Sequence, residues 1–223
     1  MSNTKSLTLY GVSHSRAFRN IWMLRELALE FEHIPVDFFA GEQFQQEYIK
    51  LNKNGRIPTL LTPDGPIFES LAINLYLATA YPSPLSPQGA YQEALAIQWS
   101  LWAANEIETP FLVYMANRVI FPENDRSQEE LELAERKVSR PLAALEATLE
   151  HSRHVLSETF SVADLNIASI LMMGVLAEYN FEPFPKVNAW LRDAIERPSA
   201  VGFEVMKISG PRPPEDFWKM VIM

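Results

Sequence analysis

A proline-rich stretch at residues 81–87 divides the chain into two parts with different patterns. Proline fixes φ and lacks a backbone N–H, so three prolines within six positions end any helix or central strand. Short β-type runs alternate with helical patterns before this stretch, whereas nearly everything after it has helical spacing. We therefore predict an α+β fold, with an α/β domain at residues 1–81, a linker at 82–90 and an all-helical domain at 91–223.

The N-terminal part predicts elements in the order βαβαββα. Leu7–Tyr10 is a short apolar strand, and apolar residues recur at helical spacing from Ala17 onward. A turn at residues 63–65 separates two short strands that should pair as a hairpin, and the first two strands should be joined by a parallel crossover. The remaining predicted elements are strands at 33–38, 57–61 and 67–68, a polar helix at 42–50, and a helix that begins at Ser70.

The C-terminal part predicts helices at 91–120, 128–151, 162–180 and 186–196. Ser161 and Asp164 precede an apolar run, at the spacing of a capping box in which each side chain bonds the other residue's backbone N–H. The apolar run at 167–177 is shorter than the roughly 20 residues that span a bilayer, so we interpret it as a buried core helix.

The charge balance excludes nucleic acid as an expected partner. The chain carries 19 Lys and Arg against 28 Asp and Glu, a formal net charge of −9, and so has no basic excess with which to bind phosphates. The N-terminal residues are polar and are not followed by the apolar core of a signal peptide. We therefore expect a cytoplasmic protein without a membrane partner.

Cysteine is absent from the chain, which excludes disulfides, thiolate metal sites and any mechanism that uses a protein thiol. The four histidines, His14, His33, His151 and His154, do not form a convincing ligand set by their spacing. No metal is therefore expected.

The first strand-to-helix turn contains Ser13, His14, Ser15 and Arg16. The hydroxyls lie where the free amides and the positive dipole end of the next helix would attract an anion. Serine is also a favoured N-cap residue, so Ser15 could simply cap this helix. Both interpretations stay open on local sequence alone.

Pro58 at the start of an apolar strand removes a ladder donor. A cis Ile57-Pro58 bond would leave the backbone N–H and C=O of Ile57 available to an extended, peptide-like ligand. The alternative is an ordinary trans proline at a strand edge.

Glu69 and Ser70 place a carboxylate and a hydroxyl at a second predicted helix N-terminus. The free amides there attract a carboxylate, while Glu69 can pair with a cation, so together they could hold an amino-acid end. The alternative is a capped helix with an acidic residue favoured by the dipole.

Taken together, three motifs give the chain a resemblance to soluble, serine-type glutathione S-transferases, in a bacterial-like form. They are Leu-Tyr-Gly-x-x-x-Ser-x-x-x-Arg at 9–19, Asn-x-x-Gly-Arg-Ile-Pro-Thr-Leu at 52–60 and Glu-Ser-x-Ala-Ile-x-x-Tyr-Leu at 69–77. Their order and spacing fit over the whole chain. The resemblance implies a thioredoxin-like N-terminal domain that binds glutathione, and a helical C-terminal domain that supplies most of a hydrophobic co-substrate pocket.

The resemblance also implies roles for individual residues. Ser15, with Ser13 as the alternative, corresponds to the serine that stabilises the thiolate. Ile57 before Pro58 corresponds to the residue whose backbone pairs with the cysteinyl unit. The residues matched to the ends of glutathione are Glu69 and Ser70 for the γ-glutamyl end, and Arg56 and Gln43 for the glycyl end.

The function implied is conjugation of glutathione to small hydrophobic electrophiles, with Tyr114 and Arg118 bordering the electrophile pocket and a homodimer as the assembly. Glutathione-dependent peroxide reduction, dehalogenation or isomerisation could use the same site, and a low-turnover binding or stress protein could keep the same fold. The C-terminal Phe217 and Trp218 could cover the pocket or pack on the surface.

Overall fold

The computed structural model describes residues 7–200 and divides them into two units. The N-terminal unit comprises residues 7–86 together with 198–200, and the C-terminal unit comprises residues 87–197. A small sheet with helices forms the first, and helices form the second, so the predicted α+β class is confirmed. Phe217 and Trp218 lie outside the described residues.

The sheet of the N-terminal unit has four short strands: β1 (Leu7–Tyr10), β2 (Phe31–Ile34), β3 (Thr59–Thr62) and β4 (Gly65–Phe68). Their order in the sheet is β2-β1-β3-β4. The first pair is parallel, while β1 with β3 and β3 with β4 are antiparallel. The predicted crossover and hairpin are therefore both confirmed.

Strands β2 and β4 each begin two residues before the predicted position, at Phe31 and Gly65, and at two other boundaries a proline interrupts the ladder. The second strand ends at Ile34 rather than continuing to residue 38, since Pro35 has no N–H to donate. The third begins at Thr59 rather than at residue 57, since Pro58 likewise has no donor.

Three α-helices belong to the N-terminal unit: α1 (Ala17–Glu26), α2 (Gln46–Ile49) and α3 (Ser70–Ala80). The continuous helix predicted at 42–50 is wrong. A 3-10 turn at Glu42–Phe44 follows Gly41, and Gln45 then adopts an extended conformation with ψ 145° that separates this turn from α2. The core between sheet and helices includes the fully buried side chains of Leu9, Phe18, Trp22, Leu60 and Leu77.

The C-terminal unit confirms the predicted helical segments, and the first of them is not uniform. Residues 89–120 begin as α4 (Gly89–Trp102), widen into a π-helical turn at Ala103–Glu108, continue as α5 (Thr109–Met115) and end in a second π-helical turn at Ala116–Ile120. Pro110 lacks the N–H that a regular α-helix would use at this point. The later helices are α6 (Gln128–Leu149), α7 (Val162–Leu176) and α8 (Pro185–Ile195).

The predicted capping box begins α7. The Ser161 hydroxyl accepts from the Asp164 N–H at 3.4 Å, and the Asp164 carboxylate accepts from the Ser161 N–H at 2.9 Å. Residues 162–174 of α7 are buried, which confirms the core helix. None of the helices within residues 7–200 combines the length and apolar character needed to cross a membrane.

Candidate active site

One row of residues runs across the sheet at the end where the predicted site residues emerge. Tyr10, the last residue of β1, pairs with Ile34 on one side and with Thr59 on the other, and Thr59 pairs with Phe68, the last residue of β4. Besides the segment that follows β2 at Ile34, three segments leave the sheet at this row. They are the turn after β1 (11–16), the loop before β3 (52–58) and the junction between β4 and α3 (69–70).

Gly11 brings the first two of these segments into contact. Its φ is +138°, and a Cβ built on it would lie 2.9 Å from the Ala17 Cβ, 3.5 Å from the Ile57 Cβ and 3.6 Å from the Pro58 Cα. Only glycine fits this conformation at such close approach. The His33 ring Nε2–H donates to the Gly11 carbonyl at 2.7 Å and so holds the start of the turn against β2.

Ser15 lies half-buried in this turn with both functions of its hydroxyl occupied. The oxygen accepts from the Ala17 N–H at 3.1 Å, and the proton is donated to the Val12 carbonyl at 2.7 Å. The geometry agrees with the capping interpretation. It is also compatible with a donor role, because the proton can turn from Val12 while the oxygen keeps the Ala17 bond.

Ser13, the alternative thiolate stabiliser, is exposed in the same turn. Its hydroxyl makes no hydrogen bond to any residue of the described range 7–200. His14 lies between the two serines, half-buried, with its ring 6.1 Å from the Phe38 ring. The turn therefore offers one serine that is fixed and one that is free.

The Ile57–Pro58 peptide bond is cis, as the first of the two interpretations predicts. The loop before it is fixed through the Arg56 carbonyl, which accepts from the Tyr48 hydroxyl at 2.7 Å and from the Asn52 side-chain amide at 2.8 Å. Burial raises the pKa of Tyr48, so this phenol stays protonated and keeps donating. No residue between 7 and 200 bonds the backbone N–H or C=O of Ile57, which leaves both to a ligand.

Glu69 joins β4 to α3 in an unusual conformation. Its φ is +70° and ψ +109°, a combination that side-chain-bearing residues rarely adopt, and its carboxylate is exposed. The first bond of α3 runs from the Ile73 N–H to the Glu69 carbonyl at 2.9 Å. The N–H groups of residues 70–72, which directly follow Glu69 in the chain, thus lie outside the helix's own hydrogen bonds.

Ser70 is buried at the first position of α3, against α1. Its hydroxyl oxygen accepts from Arg19 Nη1 at 3.1 Å, and its carbonyl accepts from Asn20 Nδ2 at 2.8 Å. The sequence motif included Arg19, but nothing in the local pattern indicated a contact with a residue 51 positions later.

The two residues predicted for the glycyl end have opposite environments. Arg56 is exposed, with its guanidinium unpaired within the described part of the chain. Gln43 is buried: its Nε2 donates to the Phe38 carbonyl at 3.2 Å, and its Oε1 is a buried acceptor with no partner among the described residues. The structure therefore presents Arg56, and not the Gln43 amide, at the surface.

The C-terminal unit brings Tyr114 and Arg118 together one helical turn apart, beside residues that follow α7. The Tyr114 ring packs edge-on against Tyr179 with centroids 5.3 Å apart, and Arg118 Nη2 lies 3.9 Å from the Glu178 carboxylate. Tyr179 was not predicted. Its only sequence signal is the aromatic spacing of Tyr179 and Phe181 directly after a buried helix.

Burial raises the pKa of both tyrosines, to about 12 for Tyr179, and the Glu135 carboxylate adds to the effect. Both phenols therefore stay protonated at neutral pH and can donate hydrogen bonds. Among residues 7–200, no group of three or more His, Asp or Glu side chains is arranged to hold a metal ion.

Two family models match the chain. The glutathione S-transferase N-terminal domain matches residues 5–79, and the glutathione S-transferase C-terminal domain matches residues 103–198. The chain belongs to the glutathione S-transferase family.

Relatives of this transferase match it over most of their length. A glutathione S-transferase of Hyoscyamus muticus is 29% identical over 203 residues, covering 86% of this chain and 95% of the relative. Glutathione S-transferase 1 of Dianthus caryophyllus is 32% identical over 178 residues, covering 78% of this chain and 80% of the relative.

Solved structures extend the similarity to the fold. A glutathione transferase of Phanerochaete chrysosporium in complex with oxidized glutathione is 27% identical, with a TM-score of 0.78 over 90% of this chain and 95% of that chain. A theta class glutathione S-transferase of Xanthomonas axonopodis pv. citri with glutathione bound is 25% identical, with a TM-score of 0.81 over 88% of this chain and 96% of that chain. The predicted thioredoxin-like domain followed by a helical domain is thereby confirmed.

Proposed function

We propose that this transferase conjugates the thiolate of glutathione to small hydrophobic electrophiles, with the Ser15 hydroxyl stabilising the thiolate. The observation that carries the proposal is the row of residues at one end of the sheet. It gathers a helix-capping serine, an unpaired Ile57 backbone and the Glu69–Ser70 junction, as an extended tripeptide with charged ends requires. Relatives with glutathione bound support the identity of the tripeptide.

Each part of glutathione then has a partner in the proposal. The Ile57 N–H and C=O pair with the cysteinyl unit, and Glu69 pairs with the γ-glutamyl ammonium. Ser70 and the free amides of α3 receive the γ-glutamyl α-carboxylate. Arg56 holds the glycyl carboxylate, and Gln43 assists that end by fixing the Phe38 carbonyl rather than by touching the ligand.

The energetics suit a hydrogen-bond donor rather than a base. Lowering an ordinary thiol pKa of about 8.5 by 2 units requires roughly 2.7 kcal/mol of preference for the thiolate. A hydrogen bond to a charged sulfur contributes about 1.5–3 kcal/mol and the helix N-terminus about 0.3–1 kcal/mol. Losing the hydrogen bond from Ser15 to the Val12 carbonyl removes about 0.5–1.5 kcal/mol of this stabilisation. We therefore expect the pKa of the bound thiol to fall by about one to two units.

In this proposal the electrophile binds to residues of the C-terminal unit. Tyr114 and Arg118 are donors beside an aromatic surface, suited to a planar apolar molecule that carries an oxygen acceptor. The thiolate sulfur forms the new carbon–sulfur bond and the leaving group departs with its electron pair. The proposal includes a homodimer, a serine-type and bacterial-like affiliation, and a cytoplasmic location, where thiols are kept reduced.

The test is calorimetric titration of glutathione into the wild type, Ser15→Ala and Ser13→Ala, together with ultraviolet titration of the bound thiol. We expect the wild type and Ser13→Ala to bind and to lower the pKa of the thiol, and Ser15→Ala to bind without lowering it. Loss of the shift in Ser13→Ala instead would transfer the role to Ser13. A wild type that does not bind glutathione would overturn the proposed function.

A further inference from the structure

Two consecutive residues of α1 hold the first residue of α3 from both sides. Arg19 donates from Nη1 to the Ser70 hydroxyl at 3.1 Å, and Asn20 donates from Nδ2 to the Ser70 carbonyl at 2.8 Å. All three side chains are buried, so water does not compete freely for these bonds. The side chain and the backbone of Ser70 are therefore fixed together.

Asn74, one turn after Ser70 on α3, closes the arrangement. Its Oδ1 accepts from Asn20 Nδ2 at 2.8 Å, and its Nδ2 donates to the Arg19 carbonyl at 3.2 Å. Asn74 is also fully buried. The contact is therefore a four-residue network that fixes the rotation of α3 about its axis relative to α1.

The direction of the Arg19 bond determines what Ser70 can do. A guanidinium can only donate, so the Ser70 oxygen is the acceptor and its own proton must go to another group. Within residues 7–200, no group accepts that proton. Donation by a cation also polarises the hydroxyl and strengthens it as a donor. Arg19 thus prepares a buried O–H beside the free amides of α3.

We infer that Arg19 is a positioning residue that acts through Ser70 on the γ-glutamyl α-carboxylate of glutathione, an inference that rests on the proposed function. It does not touch the ligand. Because Arg19 occupies the Ser70 oxygen as a donor, the Ser70 hydroxyl donates its own proton to the ligand. Asn20 and Asn74 fix the position of α3 against α1. If Arg19 only joined α1 to α3, its loss would destabilise the fold but would leave the preference for a carboxylate over a neutral group unchanged.

The experiment compares two ligands by calorimetry: glutathione, and its analogue in which the γ-glutamyl α-carboxylate is converted to a primary amide. The variants are Arg19→Met, Arg19→Lys, Ser70→Ala and the double variant Arg19→Lys/Ser70→Ala. Arg25→Met is the matched control, since Arg25 is an exposed arginine on the same helix. Urea unfolding of each variant reports stability separately.

We expect the wild type and Arg25→Met to prefer glutathione over the amide by about 10- to 100-fold, the range for hydrogen bonds to a charged group. Arg19→Met and Ser70→Ala should reduce that preference about tenfold, because each lowers the affinity for glutathione and leaves the affinity for the amide analogue unchanged. Arg19→Lys should keep part of it, because lysine donates from a single point rather than a planar fork.

The double variant keeps the inference testable if Arg19→Met does not fold. If Arg19 acts through Ser70, Arg19→Lys changes the preference in the wild type but not in Ser70→Ala. An Arg19 variant that loses stability but keeps the full preference would overturn the inference, as would effects that simply add in the double variant. A wild type that binds neither ligand would instead overturn the proposed glutathione site, whereas a wild type that binds both ligands equally would overturn the inference.

Discussion

The Ser15 hydroxyl oxygen lies 3.1 Å from the backbone nitrogen of Ala17 and accepts its N–H at the start of α1. The same hydroxyl donates to the Val12 carbonyl at 2.7 Å. Capping and catalysis are therefore compatible at this position. The proposed reaction needs only the proton to turn toward sulfur, while the oxygen keeps the bond that positions it.

Ser15→Ala should have a small effect on stability, from the lost cap, and a large effect on catalysis, from the lost donor. Losing the cap lowers the free energy of unfolding by about 1 kcal/mol, whereas losing a donor to developing or resident negative charge lowers kcat/KM about 100-fold. Ser15→Thr keeps both hydroxyl functions and should stay within about tenfold of the wild type. The measurement is urea unfolding alongside steady-state conjugation kinetics. A Ser15→Ala enzyme with full kcat/KM would leave Ser15 as a cap only.

Glu69 combines a strained backbone with a carboxylate proposed to bind glutathione, so Glu69→Gly should raise stability while it lowers affinity, and Glu69→Gln should lower affinity alone. Glu69→Gly relieves a positive φ of 70° and should raise the free energy of unfolding by about 1 kcal/mol, while lowering glutathione affinity about tenfold. Glu69→Gln should lower affinity equally without changing stability. The checks are urea unfolding and calorimetry. A destabilised Glu69→Gly with normal affinity would remove Glu69 from the site.

Local patterns were sufficient to predict most of the elements that build this site. Strand β1 and the start of α1 were predicted correctly, because alternation and helical spacing are short-range signals. The cis bond at Pro58 followed as one interpretation of a proline at a strand start. The same rules failed at residues 42–50, where Gly41 and the extended Gln45 break a helical pattern into two turns.

Contacts between distant residues could not be predicted in this way. Arg19 and Ser70 are separated by 51 positions, and each has an ordinary local explanation as a helical residue. Tyr114 and Tyr179 are 65 positions apart in the chain, and their rings pack edge-on with centroids 5.3 Å apart. The burial of the Gln43 amide against Phe38 likewise had no signal in the local sequence.

Arg56 and Gln43 should differ in how they affect the glycyl end of glutathione. Arg56→Met should lower the affinity for glutathione about tenfold and leave γ-glutamylcysteine, which lacks the glycyl carboxylate, unchanged. Gln43→Met removes a buried donor and an unpartnered oxygen together, so it should alter stability by less than about 1 kcal/mol and preserve the discrimination. Calorimetry with both peptides tests this. If Gln43→Met bound glutathione and γ-glutamylcysteine equally well, the Gln43 amide would have to contact the glycyl carboxylate directly.

Asp164 should matter for folding and not for turnover. It is fully buried and accepts from the N–H groups of Val155 and Ser161 and from the Trp190 indole, so Asp164→Ala leaves several buried donors unpaired. We expect a loss of about 3 kcal/mol or more in the free energy of unfolding. Ser127→Ala, which removes the N-cap of α6, is the control and should cost about 1 kcal/mol. The folded fraction of each variant should keep normal kcat, and a selective loss of kcat in Asp164→Ala would contradict this assignment.

Tyr179 should make the protein less stable at alkaline pH. Burial raises its pKa from 10.0 to about 12, so between these values the phenol ionises in the unfolded chain while it stays protonated in the folded one. The unfolded state then binds fewer protons, and the free energy of unfolding falls as pH rises through this window, with no contribution below pH 10. Tyr179→Phe should be less sensitive to pH in the same interval, and Tyr91→Phe, an exposed tyrosine, should match the wild type. Urea unfolding between pH 10.0 and about 12 measures the slope in this window. Equal slopes for wild type and Tyr179→Phe would show that this phenol titrates normally and is not held protonated beside Tyr114.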